Sequence, residues 1–244
     1  MPKFVELWVY LSATPLFGLT ATLVVYVLAQ AVYAHLQQAP WANPVLWTVL
    51  LLAGGLLLSG VPYPTYFAGA QFIHFLLGPA VVALAWPLWQ RRAELRQRWR
   101  SLLLAALAGG FTASVSALVL AWAFGLPLEV MLSLVPKSVT APVAMGIAEK
   151  IGGIPALAAV FAVMTGLVGA LAGKYLFDAL HIPVTPSGWA ARGFALGTAA
   201  HGIGAARALQ VNANAGAYAA LALGLQVVLA SLLMPLVVSL IAAL

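Results

Sequence analysis

A short polar segment bounded by two prolines is the first candidate binding site in this sequence. It contains Pro136, Lys137, Ser138, Thr140 and Pro142. Proline inside a helix removes a hydrogen bond and clashes with the preceding turn, so one helix is expected to end here. A new helix is expected to begin with Pro142 at its first position and Thr140 close to the N-cap. Its free N–H groups, the lysine ammonium and the two hydroxyls would bind a small oxyanion. The alternative is that Lys137 only snorkels to an interface and the prolines only kink the chain.

A second polar stretch, residues 197–207, is rich in glycine and contains a histidine. Thr198 and His201 are three residues apart, so on a helix they share a face. Both are predicted to bind substrate. Because the ordinary pKa of imidazole is about 6.5, His201 is also predicted to carry a coupled proton, with Glu149 as a second carrier. The alternative for His201 is a structural hydrogen bond between helices. Arg207 would bind a substrate carboxylate, pair with Glu149, or lie at the cytoplasmic end of its helix.

Gln71 and His74 precede a third interruption, at Gly78-Pro79, and Gln71 is predicted to line the same cavity. The sequence has no metal-ligand spacing, phosphate-binding loop, dinucleotide fingerprint or nucleophile elbow. It also has no cysteine. We therefore predict no metal, no cofactor and no catalytic residue, and a protein that is not an enzyme.

The composition requires that these residues be positioned by membrane-spanning helices. The chain has 244 residues, 64% of them hydrophobic and only 7% charged. This polar surface is too small to cover a water-soluble globule. Residues 7–90, 101–128, 151–173 and 208–244 contain no Asp, Glu, Lys or Arg. Runs of this length and continuity predict an all-α polytopic membrane protein rather than a barrel.

The apolar runs predict about eight hydrophobic segments, within a range of seven to nine. They cover residues 8–34, 45–60, 63–89, 101–124, 130–150, 154–180, 190–209 and 217–244. Pro142 and Lys150 are eight residues apart, about 12 Å of helix. If Lys150 lies at the interface, the break before Pro142 lies near the middle of a hydrocarbon core about 30 Å thick. Irregular backbone at that depth must line a protein-walled cavity.

The charge cluster from Arg91 to Arg100 predicts the orientation. It holds five arginines and one glutamate, and short basic loops stay cytoplasmic. The 91–100 segment is therefore predicted to be a cytoplasmic loop of a multi-pass membrane protein. The alternative is that it also binds anionic lipid. The N-terminus would lie outside unless a proline-broken region is re-entrant. Because the positive charge is concentrated in this loop, no nucleic-acid partner is predicted.

The stretch 78–85, which begins Gly78-Pro79-Ala80, resembles the stretch 141–148, which begins Ala141-Pro142-Val143. A charged turn and a small-residue-rich span follow each. An internal duplication is therefore predicted, with repeat halves at about 61–126 and 127–182 inside a single domain over 1–244. Repeats with broken helices near the midplane are typical of transporters.

Three long strings carry a resemblance to the LrgB/CidB family. They are YFAGAQFIHFLLGPAVVALAWPLW (66–89), SLVPKSVTAPVAMGIAEKIGGIPALAAVFAVMTGLVGA (133–170) and RGFALGTAAHGIGAARAL (192–209). The resemblance implies a membrane effector of murein hydrolase activity in a bacterial cytoplasmic (inner) membrane, which acts with a small LrgA/CidA-type partner, here on a separate chain. It also implies a transporter, since plastid relatives carry glycolate and glycerate and bacterial relatives are associated with pyruvate. The family motif falls on Lys137, Ser138, Thr140, Pro142, Glu149, Thr198, His201 and Arg207.

Two functional hypotheses follow. The first is a secondary transporter of small monocarboxylates such as glycolate, glycerate or pyruvate, proton-coupled, with the carboxylate held at a broken-helix N-terminus near mid-membrane. The second is a holin- or antiholin-like membrane regulator of murein hydrolases that acts with an LrgA/CidA-type partner. The predicted partners are the carboxylate, that small membrane protein, the bilayer and a second copy in a homodimer.

Overall fold

The computed structural model of the protein describes residues 15–76, 79, 82, 86, 89 and 92–242. Every regular element within these residues is helical, which confirms the predicted all-α polytopic fold. The chain forms two compact units, Met1–Ala83 and Leu84–Leu244, each with its own internal packing. The single-domain organisation and the repeat halves stay predictions.

The first unit contains three α-helices and one helical turn in its described residues. They are α1 (Pro15–His35), a 3₁₀ turn (Pro40–Ala42), α2 (Pro44–Ser59) and α3 (Tyr63–Phe75). Asn43 begins α2 by accepting hydrogen bonds on Oδ1 from the N–H groups of Val45 and Leu46, at 2.9 and 3.2 Å. Gly60 ends α2 with a left-handed φ of 67°, which glycine adopts without strain.

A glycine and a hydroxyl pair bring α1 and α3 together. Gly18 lies against the backbone carbonyl of Tyr66, where any Cβ would overlap. One turn later the Thr22 hydroxyl lies 2.6 Å from the Tyr66 phenol oxygen. The small residue permits the close approach and the hydroxyls bond across it, as expected of helices packed in lipid.

The second unit carries the predicted polar site. Its described helices are α4 (Arg92–Ala123), α5 (Leu128–Leu134), α6 (Ala141–Ile151), α7 (Pro155–Ala179), α8 (Pro186–Val211) and α9 (Ala213–Ala242). Close packing of α8 on α9 depends on Gly193 and Gly197. A Cβ on either would overlap the backbone carbonyl of Ala215 or Ala219. This contact explains the small-residue spacing at the start of α8.

Four helices in the described part of the chain are long and apolar enough to cross a membrane: α1, α4, α7 and α9. Helix α2 is also apolar but has only 16 residues. Large apolar side chains such as Trp122 and Leu104 are exposed on these helices, at 73% and 65%. Side chains of this kind face lipid rather than water in a protein of this composition.

Two local predictions were wrong. Residues 92–100 do not form a loop but the first turns of α4, continuous with the membrane-length part. Arginine, glutamate and glutamine are good helix formers, so a charged run can extend a span. The predicted span 190–209 is not one span either, because α8 breaks at His201. In the third predicted span, α3 ends at Phe75, and Gly78 of its predicted break lies outside the described residues.

Candidate functional site

The break between α5 and α6 lies where the two prolines predict it. Helix α5 ends at Leu134, residues 135–139 form hydrogen-bonded turns, and α6 begins at Ala141 with Pro142 in its first turn. Helix α6 has 11 residues, about 16 Å, which is half of a hydrocarbon core about 30 Å thick. Ser114 of α4 supports the break from the side, since its hydroxyl donates to the Val135 carbonyl at 3.0 Å.

Three of the predicted oxyanion ligands lie in or beside this break. Lys137 is half-buried, and its Nζ lies 3.5 Å from the hydroxyl of the buried Ser138. Thr140 occupies the N-cap position with an extended backbone (φ −61°, ψ 146°), but its hydroxyl makes no cap hydrogen bond to a described residue. Thr140 therefore lies at the predicted N-cap position, but its hydroxyl does not accept a hydrogen bond from the free N–H groups in the first turn of α6.

The second break is a reversal within α8 at His201. Its backbone has φ 41° and ψ −133°, a conformation that residues other than glycine rarely adopt. A Cβ built on Gly204 would lie 2.7 Å from the carbonyl oxygen of Leu196. In a straight helix these two residues would be about 12 Å apart. The two parts of α8, residues 186–200 and 202–211, therefore fold back on each other. They are about 22 Å and 15 Å long, so neither part alone is long enough to cross the hydrocarbon core.

The His201 side chain fastens this reversal to the central part of α7. The ring is buried, and Nε2 lies 2.7 Å from the carbonyl oxygen of Ala162. Because a carbonyl oxygen only accepts, Nε2 carries the proton of this bond. Gly166 makes room for the ring, since a Cβ there would lie 2.9 Å from Cε1 and Nε2. The interhelical hydrogen bond considered as the alternative is thus present, and the proton-coupling role stays a prediction.

The two breaks adjoin each other beside α7. The Thr140 methyl carbon lies 3.9 Å from the position of a Cβ on Gly202, which directly follows His201. Val139 belongs to the same buried apolar cluster as Ala162, whose carbonyl binds the His201 ring. The N-terminus of α6 and the reversal of α8 are therefore neighbours, at the depth of the centre of a membrane-length helix.

Thr198 lies one turn before the reversal and is almost completely buried. Its methyl group contacts α4, where a Cβ on Gly109 would lie 2.7 Å away. Its hydroxyl oxygen has no hydrogen-bond partner among the described residues. A buried unpaired hydroxyl costs free energy, so this atom marks a place where a ligand or water would be favourable.

The remaining predicted site residues are more dispersed. Arg207 is buried in the second part of α8. Glu149 is exposed near the end of α6, as expected for a residue at a helix end. Gln71 belongs to the first unit, where its amide donates to the Ala68 carbonyl of the same helix at 2.8 Å. Its predicted place in the cavity, like the ligand roles of the other residues, stays a prediction.

Several buried polar residues that position these elements were missed by the sequence reasoning. Ser133 donates to the Glu129 carbonyl at 2.6 Å and accepts from the Ile154 N–H at 2.7 Å, which ties α5 to the start of α7. Gln226 of α9 is buried and donates to the Ala106 carbonyl of α4. Polar side chains inside apolar spans were the available signal, because lipid does not satisfy them.

A second missed group fixes the connection between α7 and α8. Arg192 is buried, donates to the Ile182 carbonyl, and pairs with Asp178 at 2.9 Å. Its guanidinium also lies over the rings of Trp189 and Phe177, at 5.5 and 5.7 Å. The residue is held on several sides, so its role is to position the start of α8.

These features define a class: a multi-pass α-helical membrane protein in which two broken helical elements meet beside a spanning helix. The particular family is shown by its sequence. The LrgB-like family model matches residues 22–240, so the chain belongs to the LrgB-like family. The predicted family resemblance is confirmed.

Alignments with individual relatives cover most of this chain and most of each relative. The uncharacterized protein YxaC of Bacillus subtilis is 36% identical over 199 residues, which are 82% of this chain and 85% of the relative. The holin-like protein CidB of Staphylococcus epidermidis is 30% identical over 199 residues, which are 82% of this chain and 85% of the relative. The holin-like protein CidB of Staphylococcus aureus is 29% identical over 222 residues, which cover 89% of this chain and 93% of the relative. No solved structure matches this chain.

Proposed function

We propose that this protein is a membrane carrier for small monocarboxylate anions, whose carboxylate binds at the break between α5 and α6. The observation that carries the proposal is the meeting of that break with the His201 reversal, at Thr140 and Gly202. Irregular backbone within the hydrocarbon region is tolerated where it lines a wet, protein-walled cavity. Two interrupted helices that meet near the midplane are the arrangement by which many transporters bind substrate.

The chemistry of the break supports an anion of single charge. Lys137 contributes a positive charge, Ser138 and Thr140 contribute hydroxyls, and the start of α6 contributes the positive end of a helix dipole. These donors match two carboxylate oxygens and a neighbouring hydroxyl or keto oxygen. Thr198, with its buried hydroxyl, would bind the far side of the substrate. Glycolate, glycerate and pyruvate fit this donor set, and the family resemblance suggests the same class.

Proton coupling would make inward transport electroneutral. Moving one negative charge against 100 mV costs about 2.3 kcal/mol. With Nε2 of His201 donating to Ala162, Nδ1 is the nitrogen that could take up a proton. Glu149, exposed near the end of α6, is the second candidate. In this proposal Arg207 stabilises the loaded carboxylate from the second part of α8.

A second candidate function is a holin-like membrane regulator of murein hydrolases. The names of the CidB relatives favour a holin-like function more directly than a carrier, and they give no support to any particular carboxylate. In this function the chain would act with a small LrgA/CidA-type membrane partner. Either function is compatible with a homodimer, which we also propose.

Proteoliposomes that contain only this protein separate the two candidates. A carrier should take up radiolabelled glycolate or pyruvate with saturation, and excess unlabelled monocarboxylate should compete. It should not release trapped carboxyfluorescein. A holin-like pore should release the dye and show no saturation. Dye release at the protein density that gives uptake would reject the carrier in favour of the second candidate.

A further inference from the structure

We propose that the N-terminal turns of α4 form a binding stripe for the phosphate headgroups of anionic lipids. The stripe, here called the arginine stripe, consists of Arg92, Arg96, Arg100, Trp89 and Trp99. Arg92, Arg96 and Arg100 follow one another at intervals of four residues on a continuous helix, so they lie on one face. Each of the three is exposed.

The two tryptophans hold the ends of the stripe. The Arg92 guanidinium carbon lies 4.7 Å from the Trp89 ring centroid, and Arg92 also donates from Nη1 to the Trp89 carbonyl at 3.0 Å. The Arg100 guanidinium carbon lies 5.5 Å from the Trp99 ring. Both rings are exposed, at 61% and 54%. An arginine that stacks on an aromatic face keeps its N–H donors directed outward, and tryptophan is the side chain that favours the headgroup region.

The length of α4 places this stripe at headgroup depth. Trp99 and Trp122 are both exposed and lie at opposite ends of the apolar part of the helix. Their 23-residue separation corresponds to about 34 Å of helix. That distance matches a hydrocarbon core about 30 Å thick with one aromatic residue at each boundary. Arg100 therefore lies just outside the hydrocarbon, and Arg96 and Arg92 lie one and two turns further out.

Positive charge alone would orient the protein without binding any particular lipid. What favours a binding stripe is the alignment of three arginines and two aromatic rings on one face, within reach of lipid phosphates. Arg98 is exposed as well but lies two residues from Arg96, so it points to a different side of the helix. It carries the same charge at the same depth and serves as the matched control.

Native mass spectrometry of the full chain, released from nanodiscs of equal parts phosphatidylglycerol and phosphatidylcholine, tests the proposal. The parent should retain phosphatidylglycerol over phosphatidylcholine. Arg96→Gln should lower that preference about fivefold, the loss expected for one water-exposed hydrogen bond between a guanidinium and a lipid phosphate. Arg98→Gln should leave it unchanged within twofold. Each substitution removes one charge from an exposed position, so the comparison isolates the face of the helix.

Three results would overturn the proposal. One is a parent protein that retains the two lipids equally. Another is an equal loss of preference in Arg96→Gln and Arg98→Gln, since lipid retention would then depend on positive charge alone and not on the face of the helix. The third is displacement of phosphatidylglycerol by a short RNA at physiological salt, which would assign the stripe to a soluble polyanion. Circular dichroism on each variant should show the parent's helical content, and a variant that lacks it is replaced by Arg96→Ala with Arg98→Ala as its control.

Discussion

Gly166→Ala should destabilise the protein by forcing the His201 ring away from α7. The new methyl group would lie 2.9 Å from Cε1 and Nε2 of His201 and from Cδ1 of Ile203. Overpacking of this kind costs about 1–3 kcal/mol, and loss of an interhelical hydrogen bond in a membrane costs about 0.6 kcal/mol more. Replacing glycine by alanine inside a helix stabilises the helix by about 1 kcal/mol. The net expectation is a loss of stability of about 0.6–2.6 kcal/mol.

Gly146→Ala is the matched control for this substitution. Gly146 lies inside α6, and no heavy atom lies within 4 Å of a Cβ placed there. The same chemical change should therefore stabilise the protein by up to about 1 kcal/mol. Thermal unfolding in detergent, followed by circular dichroism, measures both variants. If Gly166→Ala raises the melting temperature as much as Gly146→Ala does, the packing of His201 against Gly166 is wrong.

A double-mutant cycle sharpens the same test. His201→Ala removes the ring that the new methyl group would meet. In that background Gly166→Ala should cost less, since only the flexible end of Ile203 remains in the way. Equal costs in both backgrounds would show that the two residues do not interact.

Four further predictions address other parts of the site. Thr198→Val keeps the side-chain shape but removes a buried hydroxyl that has no hydrogen-bond partner among the described residues. It should raise the free energy of unfolding by about 1 kcal/mol and lower the rate of substrate uptake. An unchanged rate of uptake would show that Thr198 does not bind substrate. His201→Gln should keep exchange of one carboxylate for another but lose the uptake that rises as external pH falls; uptake equal to the parent's under a pH gradient would make His201 purely structural. Gly197→Val should separate α8 from the Ala219 carbonyl and lower the yield of folded protein far more than Gly146→Val; equal yields would contradict the close packing. A cysteine at Gln97 should react with impermeant maleimide only from the cytoplasmic side, and labelling from outside in intact cells would reverse the orientation.

The sequence was sufficient to predict the break between α5 and α6, because proline has a steric effect that lipid cannot relieve. Pro136 and Pro142 mark the irregular segment, and the helix after it begins at Ala141, one residue before the predicted start at Pro142. The reversal at His201 could not be predicted in the same way. Glycines at 197, 202 and 204 permit such a turn, but they equally permit a straight, closely packed helix. The reversal rather than a straight helix depends on the contact of His201 with Ala162, which is 39 residues away in the chain.

Charge and helix propensity gave conflicting signals at the start of α4. The arginines from Arg92 to Arg100 predicted a loop because charge concentrates in loops of membrane proteins. The same residues are good helix formers and continue the span. The small residues Gly109 and Gly166 were equally hard to interpret from sequence, since Gly109 makes room for Thr198 of α8 and Gly166 makes room for His201 and Ile203. Their function depends on which helix lies opposite.

Uptake into proteoliposomes measures whether Lys137 binds the carboxylate of a transported substrate. Radiolabelled glycolate and pyruvate uptake should be compared for the parent, Lys137→Ala and Lys150→Ala, at equal amounts of inserted protein. Lys137 is half-buried beside Ser138 in the break, whereas Lys150 is exposed near the end of α6. We expect Lys137→Ala to lower uptake about a hundredfold, which corresponds to the loss of about 3 kcal/mol for a hydrogen bond to a charged group. Lys150→Ala should keep the parent's uptake. Saturable uptake by Lys137→Ala at the parent's rate would show that Lys137 does not bind the carboxylate.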